Sequence, residues 1–289
     1  MNFLDYINLA DKICSNYSNI HSEEDFGISN KLVFKFIHDG GYSDIVLNKK
    51  YLKFQNSSYY DLIALFNSLE TFNSSDIIAA QKSIKYDDTT INLHRKLIMM
   101  DTNYVENTID LNSITKIIPV ILRMIYNNDS ETIDNIIIAT IKIIKLTHNN
   151  NYMFIGCCIL CLYIWQIIKN NLIDIKLIIS YLKDGFTNII DNVNFQNDFN
   201  NIRLKFVRQF NDYLEIKESK NSIYPNYRNK FYANFNDNIV FLGLIMVYDI
   251  INECGDNLEQ IIYYSCLQYK NNHYCGIISI LIYFLKNKK

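Results

Sequence analysis

The side chains with the most obvious chemical potential are three closely spaced cysteines, Cys157, Cys158 and Cys161. Thiolates at such spacing are soft ligands for zinc, but zinc takes four ligands and no second Cys/His pair stands at a matching distance. All three lie within residues 153–165, a run apolar on every side, which makes them small core thiols. Asp87 and Asp88 are adjacent carboxylates ahead of an apolar-periodic stretch. They stand where anionic caps favour the N-terminus of the helix that follows. Glu23, Glu24 and Asp25 could supply a general acid, with Glu24 the candidate, or form a solvated acidic turn. His148 follows a helix end, where an imidazole either meets a ligand or satisfies the last carbonyls. Gly40-Gly41 stands alone and reads as a turn rather than a phosphate cradle. Arg203, Lys205 and Arg208, followed by Arg228 and Lys230, read as a solvated helix face rather than a nucleic-acid stripe. The sequence holds no phosphate loop, nucleophile elbow or zinc-protease motif.

Such residues need elements to position them, and the composition points to helices. In 289 residues, 49% hydrophobic, there are 8 glycines and 2 prolines, too few for the frequent turns of an all-β fold. The net charge of −2 gives no basic surface for phosphates, so no nucleic-acid partner is expected. Asp5 and Asp11 interrupt the N-terminal apolar pattern, so no secretory leader is expected and the seven cysteines are expected reduced, in the cytoplasm. The apolar run that ends at Gln166 is shorter than the roughly 20 residues a bilayer requires, so no membrane span is expected.

Helical periodicity covers residues 60–72, a segment from residue 77, and residues 90–100, 132–146, 153–168, 173–183, 239–251 and 276–285. Asn128-Asp129-Ser130-Glu131 and Asp256-Asn257-Leu258-Glu259 read as helix starts, Gly185 and Gly255 as stops, and Pro119 as a first-turn residue or a kink. Residues 187–236 are polar and irregular, the place for insertions or mobile loops. Asp44-Ile45-Val46-Leu47 is ambiguous between strand and helix. The reading is one all-α domain over residues 1–289, expected as a monomer.

Several local patterns follow one another in an order that resembles the ADP-ribosylglycohydrolase family, which includes the dinitrogenase-reductase-activating glycohydrolases. Leu9-Ala10-Asp11 lies near where the family's early Gly-Asp-Ala-Leu-Gly falls, without its glycines, and Asn56-Ser57-Ser58-Tyr59 where it has Ser/Thr-Asp-Asp-Thr. Lys85-Tyr86-Asp87-Asp88-Thr89-Thr90 is similar to a later Gly-Tyr-Gly-x-Thr-Thr helix start. Asn112-Ser113-Ile114-Thr115-Lys116, ahead of Pro119, resembles Asn-Gly-Ala-Met-Arg-x-x-Pro. Thr147-His148-Asn149 resembles Thr-His-x-His, and residues 256–276 resemble the closing region that carries Gly-Gly-Asp-x-Asp-Thr. The resemblance implies a compact, orthogonal all-helical bundle. It also implies two magnesium ions and a cleft for ADP-ribose in which Asn112, Ser113, Lys116, Thr147, His148 and Asn149 would contact the ligand.

The departures fall on the metal ligands. The family's paired aspartates align with Ser57 and Ser58, and its closing carboxylates with Lys270 and Asn272, so the cation's charge is left without offset. A second register puts the paired aspartates on Asp87 and Asp88, at the cost of the helices expected between them and Lys116. Three functions stay open. The first is a pseudoenzyme that keeps the fold and binds ADP-ribose or an ADP-ribosylated protein. The second is an active magnesium-dependent hydrolase using Asp87, Asp88 and Asp61 or Glu24. The third is a helical interaction module outside that family.

Overall fold

The computed structural model describes residues 3–17, 34–39, 42–47, 109, 111–127, 132–145, 148–193, 195, 197–219, 238–267 and 272–287. The fold is all-α, as the shortage of glycine and proline predicts. Its helices are α1 (Phe3–Ser15), α2 (Leu111–Thr115), α3 (Ile118–Asn127), α4 (Ile133–Ile144), α5 (Asn151–Asn170) and α6 (Ile175–Asp184). They continue with α7 (Thr187–Asn192), α8 (Phe199–Ser219), α9 (Ile239–Cys254), α10 (Leu258–Leu267) and α11 (Asn272–Lys286). Between α1 and α2 in sequence lies an antiparallel pair, β1 (Phe34–Asp39) and β2 (Tyr42–Leu47), with Phe34 opposite Leu47 and Asp39 opposite Tyr42. The ambiguous stretch Asp44-Ile45-Val46-Leu47 is therefore strand. Gly40-Gly41 separates the two strands in sequence, a composition that short hairpin connections favour. The helices expected over 60–72, from 77 and over 90–100 lie outside the described residues.

The helix starts follow from short polar side chains. Asn150 accepts from the Tyr152 amide at 2.8 Å, Asp174 from the Lys176 and Leu177 amides at 2.8 and 3.3 Å, and Asn238 from the Phe241 amide at 3.1 Å. Two expected starts shift slightly. Helix α4 is capped by Thr132, whose hydroxyl accepts from the Asn135 amide at 3.3 Å. Helix α10 is capped by Asn257, not Asp256: its side chain accepts from the Gln260 amide at 3.0 Å, while Asp256 pairs with Lys286 at 2.9 Å. Pro119 occupies the first turn of α3, where no backbone donor is missed. Helix α11 begins a turn earlier than its periodicity, with Gly276 inside it.

Helix α5 is the centre of the body. It packs against α2, α3, α4, α8, α9 and α11, and its residues from Met153 to Ile164 are all buried. At 20 residues, with a mean hydropathy of 1.7 in its most apolar window, it is long and apolar enough to cross a membrane by length and composition alone. The length argument from sequence is thus corrected, because the helix runs on past Gln166. What characterises α5 is its surroundings: 83% of that window is buried against the rest of the protein.

Helix α2 reaches this centre only because two glycines make room. A Cβ on Gly156 of α5 would lie 2.4 Å from Val240 Cγ1 of α9 and 2.6 Å from Ile114 Cδ1 of α2. A Cβ on Gly243 of α9 would lie 2.7 Å from Leu111 Cδ2, again of α2. Gly255, by contrast, ends α9 with φ of 56° and ψ of −116° and has open space around it, so there the backbone conformation demands glycine.

The region 187–236 is less irregular than its polarity implies. Helix α8 occupies residues 199–219 as one unbroken helix, with Ile202, Phe206, Phe210 and Tyr213 buried along one side. A one-sided apolar stripe on a polar helix is diluted in any average over the segment.

The two kinds of glycine separate by substitution. Gly156→Ala overpacks the α2–α5–α9 contact and is expected to cost about 1–3 kcal/mol in urea unfolding. Part of that loss returns in the Gly156→Ala, Val240→Ala double variant. Gly255→Ala is expected to cost a similar ~1–3 kcal/mol through backbone strain, and no neighbouring truncation restores it.

Candidate functional site

Of the residues singled out for ligand contact, Ser113, Lys116 and His148 are interior side chains, at 1%, 4% and 0% exposure. Ser113 sits on α2, Lys116 in the turn between α2 and α3, and His148 just past α4, where its amide donates to the Ile144 carbonyl at 2.8 Å. Asn149 is exposed. The structure gives the backbone of Asn112 within α2 and of Asn272 at the start of α11. Glu24, Ser57, Ser58, Asp61, Asp87, Asp88, Thr147 and Lys270 lie outside the described residues.

The structure does gather three of the segments singled out in the sequence. Helix α1, carrying Asp11, packs along α11 and also touches α3; α2 packs against α11 as well as α5 and α9. Rings of Tyr6 and Phe284 stack across the α1–α11 contact at 5.7 Å. At the other end of that contact His273 Nε2 lies 3.3 Å from Asp11 Oδ1, with side-chain exposures of 33% and 11%. This pair, from the opening and closing segments, was missed in the sequence because nothing local links residues 11 and 273.

The described residues at this end of the body gather no set of oxygen ligands for a magnesium ion. The ion takes about six oxygens at 2.0–2.1 Å in a near-octahedral shell. Here the described carboxylate, Asp11, faces an imidazole nitrogen. Among the described residues no group of three or more His, Cys, Asp or Glu side chains is arranged to hold a metal.

The cysteine cluster is settled by its surroundings. Cys157, Cys158 and Cys161 are all buried, and burial raises each thiol, that of Cys161 to about 12. Cys161 Sγ lies 3.3 Å from the Thr140 hydroxyl. Thiols held protonated in an apolar core are neither nucleophiles nor metal ligands. Two basic side chains of α8 are also engaged locally. Arg203 donates to the Leu182 and Lys183 carbonyls at 2.6 Å, closing the C-terminus of α6, and Lys205 lies over the Tyr152 ring at 5.5 Å.

The densest polar constellation joins α8 to α9. Asp249 is fully buried, and its Oδ1 accepts from the Tyr213 hydroxyl at 2.8 Å and from Lys217 Nζ at 3.1 Å. Lys217 also pairs with Glu253 at 2.9 Å and lies over the Tyr213 and Tyr248 rings at 5.6 and 5.9 Å. Burial pulls the Lys217 ammonium down, but Asp249 and Glu253 outweigh it and hold the group above the ordinary lysine value. The signal for this network was present in sequence: Asp249 is the lone charge in the apolar stretch 239–251. Beyond Tyr248 the surface dips into a hollow of ≈ 100 Å³ lined by Ile167, Ile173, Ile251, Asn252 and Lys286. That is well below the ~300–1,000 Å³ of pockets for drug-sized ligands.

Comparison of the chain with protein-family models, with curated proteins and with solved structures found no match.

Two expectations follow from the electrostatics. Lys217→Met leaves the Asp249 carboxylate in the interior without its cation, and about 3 kcal/mol of stability is expected to be lost; Lys217→Met with Asp249→Asn recovers most of it in the same urea titration. The second concerns pH. Burial raises the phenols of Tyr163, Tyr181 and Tyr248 and the three core thiols, and Lys217 is raised by its carboxylates. A group raised in the folded state contributes stability that is complete below its unfolded value and is lost as pH climbs through the folded one. Urea midpoints are therefore expected to hold to about pH 8.5, the unfolded thiol value, and fall steadily through pH 10 and beyond. A midpoint unchanged at pH 11 contradicts this.

Proposed function

We propose that this chain is a non-hydrolysing protein of the ADP-ribosylglycohydrolase type, which binds ADP-ribose, free or on a modified protein, without cleaving it. The observation that carries the reading is the meeting of Asp11 and His273. Segments that match the family at opposite ends of the chain come side by side, with the α2 segment packed against the same helix. The all-α body around a long apolar helix agrees with the scaffold the resemblance implies.

The chemistry argues for silence. Hydrolysis in that family depends on carboxylates that hold two cations. In this sequence their positions carry Ser57, Ser58, Lys270 and Asn272, and the described carboxylate, Asp11, faces a histidine. Lys116, in place of a family arginine, keeps the charge but lacks the two-pronged geometry that grips a phosphate. With the metal carboxylates replaced, binding without cleavage is the part of the family's activity that the resemblance still implies, and of its ligand-contact residues Asn149 is exposed.

Calorimetry with ADP-ribose, in magnesium and in EDTA, tests the reading beside an assay for ADP-ribose release from modified arginine and serine. The expected result is binding of equal strength in both buffers and no release. Release that EDTA abolishes replaces this reading with the active hydrolase. Absence of binding to both ADP-ribose and ADP-ribosylated protein removes the family reading altogether.

A further inference from the structure

The α1–α11 contact brings a carboxylate and an imidazole together one residue along the chain from Asn272, a position the resemblance aligns with a metal ligand. Asp11 is nearly enclosed, with 11% of its side chain exposed, and His273 projects from the first turn of α11 so that Nε2 stands 3.3 Å from Oδ1. A magnesium ion on Asp11 would sit about 2.1 Å from a carboxylate oxygen and carry its own shell of oxygens. The imidazole already occupies the approach to Oδ1. The ring is held from the side as well: it meets Tyr274 edge-on, with centroids 5.4 Å apart.

We infer that His273 is the built-in occupant of the space in front of the Asp11 carboxylate, so that the α1–α11 junction closes on a side chain and not on a divalent cation. The inference deepens the reading above by naming what replaces the metal at this point. It uses the geometry of the pair in either protonation state of the imidazole. Helix α1 also buries Ile7, Ala10, Ile13 and Cys14. Asp11 and His273 form a polar clasp at one end of the α1–α11 contact, and each side chain's contribution depends on the presence of the other.

Thermal melting of the full chain in excess MgCl2 and in EDTA tests this with wild type, Asp11→Asn, His273→Ala and the double variant. Each single substitution is expected to lower Tm by about 2–4 °C, and the double variant to melt close to the singles, because the pair is lost only once. The shift between MgCl2 and EDTA is expected to be the same in wild type and in Asp11→Asn. His273→Gln, which keeps a polar side chain, serves if His273→Ala does not fold. Full additivity of the two substitutions overturns the inference. So does a magnesium stabilisation seen in wild type and lost in Asp11→Asn. Either outcome is independent of ADP-ribose binding, so failure here and failure of the proposed function are told apart.

Discussion

The close approach of α2, α5 and α9 is the contact on which the remaining packing depends. Helix α2 is a single turn and a fraction long, too short to hold itself together by its own hydrogen bonds. It is kept helical by burial of Leu111 and Ile114 against two glycines, and no other residue type leaves that space. Once α2 is seated, the following turn delivers α3 onto α4 and α5, and α11 can lie across α2, α5 and α9. Cys275 reinforces this layer, with its thiol 3.6 Å from the Gly243 carbonyl. An apolar core of this density transmits any change at the glycines to every helix that meets α5.

The polar interactions have a different distribution. They fasten α8, whose own apolar face is narrow. Arg203 fixes it to the end of α6, Gln209 accepts from Asn238 at the start of α9, and Tyr213 and Lys217 hold Asp249. A buried carboxylate with an ammonium and a phenol is costly to desolvate, and its value lies in what it forbids: sliding α8 by one turn would strand Asp249. The network accordingly sets register where apolar side chains alone would tolerate several alignments.

Much of the helical body was legible in the sequence, and the reasons are local. The spans 173–183 and 239–251 were legible from apolar periodicity and correspond to α6 and α9, while the caps Asn150, Asp174 and Asn238, whose side chains bond amides two or three residues away, were not singled out. The core role of 153–168 was legible because a run apolar on all sides has no solvent face. A helix face at Arg203, Lys205 and Arg208 was legible, but the full length of α8 was hidden because its stripe is sparse, and α10's cap was misplaced by one residue because Asp256 and Asn257 both qualify by type. The Asp256 carboxylate was claimed by Lys286, a partner thirty residues away in sequence, which holds it below the usual range. The Asp11–His273 and Lys217–Asp249 pairs were not legible at all as pairs, since neither spacing corresponds to any repeat of helix or strand. The buried state of Ser113, Lys116 and His148 likewise depends on which helices cover them, which spacing cannot state.

The composition of α5 has a consequence for how the chain comes into being. Its neighbours α2, α3 and α4 precede it, but α8, α9 and α11 are encoded after it. At about 5–20 residues per second, a ribosome needs on the order of ten seconds to deliver α11 after α5 has been made. Until α8, α9 and then α11 are made in turn, the nascent chain carries a helix that satisfies the length and hydropathy requirements of a lipid bilayer and lacks part of its final cover. The same segment that centres the finished protein is, during synthesis, its point of greatest exposure to the translocation machinery and to aggregation, and the late C-terminal helices are what end that exposure.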